Sequence, residues 1–122
     1  VVVLAFNINI PWCRIVLPQA EKRKVAFLGT RSEPRPAWFD LEVEGIVPEV
    51  CPFKRGSENV YHLCSSSDLV ESAMENEISN NLGFLSNTVL GGFGPGGVTA
   101  LWIVVRMKEV KKKLRGLVLC SS

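Results

Sequence analysis

Histidine is the side chain best placed to move protons near neutral pH, and this chain has one, His62. Any Ser-His-Asp or Cys-His arrangement must therefore run through it. Cys64 stands two residues on, so an alternating strand would present His62 and Cys64 on one face. These two are the catalytic candidates, although nothing else in the sequence converges on them. Cys13, Cys51, Cys64 and Cys120 could join His62 around zinc. Structural zinc sites, however, present their ligands in close pairs. No Cys-x-x-Cys occurs here, and His62-x-Cys64 is the only close pair. Neither a metal nor a cofactor is expected.

A glycine-rich run, Gly91-Gly92-Phe93-Gly94-Pro95-Gly96-Gly97, is the next feature with chemical content. Gly92-x-Gly94-x-x-Gly97 has the spacing of a dinucleotide fingerprint. That chemistry needs a strand before the glycines and a helix after them, so that phosphate meets backbone N–H groups at a helix N-terminus. The flanking patterns here point to the opposite order, which excludes the reading. The same glycines look similar to the glycine-rich loop of protein kinases, with Val105-Arg106-Met107-Lys108 near the place of the strand lysine. The resemblance departs at Thr99, where a valine is expected, and it implies a catalytic lobe for which the chain has no room. A flexible connection over residues 91–97 is the expectation.

Charge offers binding candidates. The net charge of +2 is too small to indicate a nucleic-acid partner. Asp40, Glu42 and Glu44 alternate with Phe39, Leu41 and Val43, which puts three carboxylates on one strand face. Lys108, Lys111, Lys112 and Lys113 form the opposing basic patch. Cys51 and Cys64 flank a polar turn, Arg55-Gly56-Ser57-Glu58-Asn59, and read as a hairpin. A turn symmetric about 57–58 sets the two cysteines opposite one another, within adjustment of disulfide geometry. An oxidised Cys51–Cys64 pair would point to a secreted protein; the localisation is otherwise unknown.

The elements that would position these groups follow from periodicity. Asp68 and Glu71 have capping-box spacing. Val70, Met74, Ile78, Leu82, Leu85 and Val89 trace one helical face. The pattern predicts a long amphipathic helix over about 68–90, with Asn80, Asn81 and Gly83 as its weak point. Residues 98–105 are β-branched and aromatic and predict a buried strand. A short basic helix follows over 106–115. Earlier, 1–10, 12–17, 24–28 and 39–44 read as short strands or apolar runs separated by proline and glycine. With 47% apolar and 21% charged residues over 122 positions, the chain reads as a single small domain over 1–122. The fold class expected is α+β: a mostly antiparallel sheet with the long helix packed on it. The start at Val1 suggests a processed form or a fragment.

The function these readings favour is a non-enzymatic binding or protein-interaction module, its partner another protein. The alternative is a single-pass membrane anchor, since Leu82 to Val105 carries no charged side chain and a basic tail follows. Proline and several glycines inside that window argue against a continuous span. A second alternative is an enzyme using His62 and Cys64.

Overall fold

The computed structural model describes residues 11–26, 33–41, 58–80, 85–106 and 114–121. Its elements run β1 (Lys22–Arg23), β2 (Arg35–Pro36), α1 (Val60–Asn80), a single 3₁₀ turn (Leu85–Asn87), β3 (Val89–Phe93), α2 (Pro95–Arg106) and β4 (Gly116–Cys120). Helices and strands are mixed, so the α+β class holds, while several of the expected elements are redrawn.

Helix α1 starts at Val60, well ahead of Asp68, because Asn59 caps it. The Asn59 side-chain oxygen accepts the His62 N–H at 3.0 Å, and its carbonyl accepts the Leu63 N–H at 3.0 Å. The serines ahead of Asp68 are absorbed into the helix. Ser65 and Ser67 donate back to the carbonyls of His62 and Leu63, and Ser66 donates to the Trp38 carbonyl. The hairpin expected to end at Cys64 therefore fails on that arm, which is helical; Cys51 lies outside the described residues. Helix α1 is described as far as Asn80; Asn81 and Gly83, the rest of the anticipated weak point, lie outside the described residues.

The second half differs most. Residues 98–105 belong to helix α2, not to a strand, and residues 89–93 are a strand, not a continuation of the long helix. Strand β3 pairs in parallel with β4, in the register Val89↔Gly116 to Phe93↔Cys120. Parallel neighbours cannot be joined by a tight turn; they need a crossover of roughly a dozen residues or more, usually a helix. That topological demand overrides the β-branched composition of Val98 to Val105. Proline at the first position of α2 suits a helix start, because the N–H it lacks would have no partner within the helix. This parallel ladder is the longer one described, whereas β1 and β2 make a two-residue antiparallel pair.

Helix α2 packs on β3 and β4 and against α1. Gly97, Thr99, Ala100 and Ile103 form its buried face, at helical spacing. Ile103 is fully enclosed and meets Val70 of α1, with Trp38, Leu69, Met74, Leu90 and Leu114 packed around the pair. Val70 and Met74 thus face the core, as the helical periodicity requires. The segment 11–18 is tied to α1 by Arg14, whose guanidinium donates to Glu77 at 2.5 and 3.2 Å.

The described part of the uncharged window, 85–105, is divided among a turn, a strand and a helix. Among the described residues no helix is long and apolar enough to cross a membrane, which removes the single-span alternative. The basic helix expected over 106–115 falls largely outside the described residues, beyond Arg106.

Candidate functional site

The chain reverses direction sharply between β3 and α2, and that turn is the centre of the candidate site. Gly94 occupies it with φ of 51°, a left-handed conformation that costs glycine little and other residues more. Its N–H donates to the Cys120 carbonyl at 2.9 Å, carrying the parallel ladder one step past β3. Its carbonyl then accepts from Gly97 and Val98 at 2.9 and 3.1 Å, opening the first turn of α2. Strand and helix backbones almost touch: a Cβ placed on Gly92 would lie 2.2 Å from the Gly96 carbonyl oxygen. A Cβ on Gly94, in contrast, would meet nothing within 4 Å. Gly92, Gly94 and Gly96 therefore have separate causes. The outer two lie at the close approach of strand and helix, and the one between them takes the turn.

The order is strand, glycine turn, helix. This reverses the order expected from periodicity, and with it falls the ground given for excluding the dinucleotide fingerprint. Pro95 still counts against a phosphate cradle, because the first position of α2 then has no N–H to offer. The flexible connection expected over 91–97 gives way to a hydrogen-bonded strand and turn.

An apolar groove of about 810 Å³ runs from this turn along β3. Trp12, Leu17, Met74, Ile78, Val89 and Phe93 are among its walls. Trp12 and Phe93 are exposed, at 85% and 74%, so the groove opens to solvent between bulky aromatic groups. A smaller cavity of about 400 Å³ lies where Trp38 and Phe39 meet Phe93, Pro95 and Gly96. Volumes of this order hold small molecules.

His62 sits in the first turn of α1. Its Nδ1 accepts the Asp40 backbone N–H at 3.1 Å, which leaves the ring proton on Nε2. Burial pushes its pKa below 6.5; the Arg23 guanidinium adds to this, and the Asp40 carboxylate opposes it. Cys64, a half-buried free thiol, follows two residues later on the helix. Positions i and i+2 point to different faces of a helix, so the shared strand face expected for this pair does not exist. Asp40 is occupied structurally: its carboxylate accepts the Ala26 and Leu41 N–H groups. Glu42, Glu44, Lys108, Lys111, Lys112, Lys113 and Cys51 lie outside the described residues. Among the described residues no cluster of His, Cys, Asp and Glu could hold a metal ion.

None of the sequence-derived site residues belongs to the turn. Its signal in the sequence is glycine at alternate positions with a proline among them. With no reactive side chain in that pattern, it points to flexibility before it points to chemistry.

A family model described as phospholipase/carboxylesterase matches residues 2–122. No curated protein matches the chain. The family match overturns the expectation of a non-enzymatic binding or protein-interaction module, because it points to a hydrolase. It names no residues, so it leaves His62 and Cys64 untested as site residues.

Proposed function

The chain belongs to the phospholipase/carboxylesterase family, and from that premise we propose that it is a hydrolase of carboxylic esters of long-chain acids. In this reading the apolar groove takes the acyl chain, and the β3–α2 turn receives the ester carbonyl. The observation that carries it is the geometry of that turn. Ester hydrolases of the α/β class place their G-x-S-x-G pattern on a sharp strand-to-helix elbow. Gly92-Phe93-Gly94-Pro95-Gly96 has the same spacing and the same strand–turn–helix context, with its outer glycines at backbone contact. Glycine stands at the position of the serine. A turn of this kind sets a substrate carbonyl against the helix N-terminus, where the positive end of the helix dipole favours developing negative charge.

Groove chemistry supports a lipid acyl group over a polar ligand. Its walls near the elbow are largely apolar, and its charged members, Arg14 and Glu77, are paired with one another. Each methylene buried there would contribute up to about 0.8 kcal/mol, about fourfold in affinity.

A homologous series of alkylphosphocholines, each below its micelle concentration, tests this directly through intrinsic tryptophan fluorescence. These ligands keep the long chain and carry no carboxylic ester to cleave. Expected is a Kd that falls steadily with chain length, with a shallower slope in Trp12→Ala. Equal affinity across the series, or none, would remove the acyl-groove assignment.

A further inference from the structure

We propose that the candidate site has two apolar arms and takes esters that are apolar on both sides of the carbonyl. The long acyl chain lies in the groove, and a hydrocarbon alcohol lies in the smaller cavity. The inference rests on the ester-hydrolase reading above and adds to it the class of alcohol.

The groove of about 810 Å³ and the cavity of about 400 Å³ share Trp38, Phe93 and Gly96 in their walls. Phe93 and Gly96 bracket Gly94 and Pro95 in the sequence, so the two spaces meet beside the β3–α2 turn. A ligand centred there has one direction into each. Trp38 is held in place between them: its carbonyl accepts from Ser66, and its ring packs on the Val70–Ile103 core. Of the three shared residues it alone carries a hydrogen-bond donor in its side chain. Its Nε1 is the atom nearest to where a Cβ on Gly96 would stand, at 3.5 Å, which sets the polar edge of the indole at the turn. An ester carbonyl meets a side-chain donor there, with apolar walls on either side.

Val25, Pro36, Phe39 and Leu41 give the smaller cavity its apolar walls. At about half the volume of the groove, it is the shorter arm. Asp40 is the charged member of its lining, and backbone donors hold that carboxylate: it accepts the Ala26 N–H at 3.0 Å and the Leu41 N–H at 2.8 Å. A hydroxylated alcohol would exchange water for walls that offer few polar partners, which costs binding. A cationic alcohol is the polar kind that Asp40 could attract, so the experiment separates charge from hydrocarbon.

The whole chain is titrated with N-alkyl octanamides and read by tryptophan fluorescence, since Trp12 and Trp38 both line the groove. These ligands keep the carbonyl and both arms and carry no ester to cleave. Lengthening the N-alkyl arm from methyl to butyl is expected to lower Kd by up to about fourfold per methylene. N-(3,3-dimethylbutyl)octanamide should bind about tenfold or more tighter than its isostere with trimethylammonium in place of tert-butyl, because the cavity desolvates the charge. Ala37→Leu adds bulk to the smaller cavity, whose wall holds Ala37, and not to the groove. In that variant the dependence on the N-alkyl arm should vanish, while shortening the acyl arm to hexanamide still weakens binding. A native chain that responds to acyl length and not to the N-alkyl arm overturns the inference. So does equal or tighter binding of the cationic isostere, and neither result depends on the variant folding. An unchanged N-alkyl dependence in folded Ala37→Leu overturns it as well. Indifference to acyl length in the native chain instead removes the acyl-groove reading, and the second arm falls with it.

Discussion

His62 shows how a residue that looks catalytic is held by structure. Its Nδ1 accepts a backbone N–H from Asp40, and burial beside the Arg23 guanidinium favours the neutral ring. In the unfolded chain the ring takes up its proton near 6.5, while in the fold it does so only at lower pH. Between those values the unfolded state binds more protons, so this contribution to stability is complete above 6.5 and is lost as pH falls through the folded value. Urea titrations from about pH 7.5 to 5 are expected to show that decline. His62→Asn keeps an acceptor oxygen near the place of Nδ1 and does not titrate, so its profile should lack this component. An identical decline in both proteins would mean that other groups carry it. Gly94 and Pro95 make the complementary point: under the proposed function two residues with no reactive group stand at the centre of the site, because their position and not their side chains identifies it.

At the scale of elements, the strand–turn–helix unit depends on the contact between Gly92 and Gly96. A methyl group at 92 would collide with backbone, at 2.2 Å from the Gly96 oxygen and 2.5 Å from the Gly97 nitrogen, and backbone cannot swing aside as a side chain can. Gly92→Ala is therefore expected to destabilise by about 1–3 kcal/mol, the usual range for forced overpacking. Gly91→Ala is the matched control. Its Cβ would meet Val118 at 3.7 and 3.9 Å, ordinary contact distances, and its effect should stay within about 0.5 kcal/mol. Denaturation midpoints of the two variants measure the difference, and similar losses in both would show that the close approach does not matter. The ion pair between Arg106 of α2 and Asp68 of α1, at 3.6 Å and exposed on both sides, contributes little to holding the helices together.

Across the whole molecule the described core is small and centred on α2. Ile103 has no exposed surface, and it joins Val70 to Leu90 and Leu114. Its truncation to alanine should cost about 2–5 kcal/mol, a large share of the ~5–15 kcal/mol that holds a typical domain together. Val105, on the same helix but 67% exposed, should tolerate alanine within about 0.5 kcal/mol. Thermal melts of the pair would test the orientation of α2, since equal losses would place the helix differently on the sheet.

What the amino-acid order determined by itself was local. Periodicity identified Val70 and Met74 as an inward face and the mixed α+β class, because side-chain spacing repeats over a few residues. What only the tertiary structure decided was the state of residues 89–105. Val89 to Phe93 became a strand because β4, distant in sequence, satisfies its backbone groups. Val98 to Val105 became a helix because parallel strands require a crossover between them. The candidate site was hidden for the same reason: Gly92, Gly94 and Gly96 acquire meaning only when a strand enters the turn and a helix leaves it. Hydrogen bonds between distant segments set that order, and no local pattern of side chains encodes it.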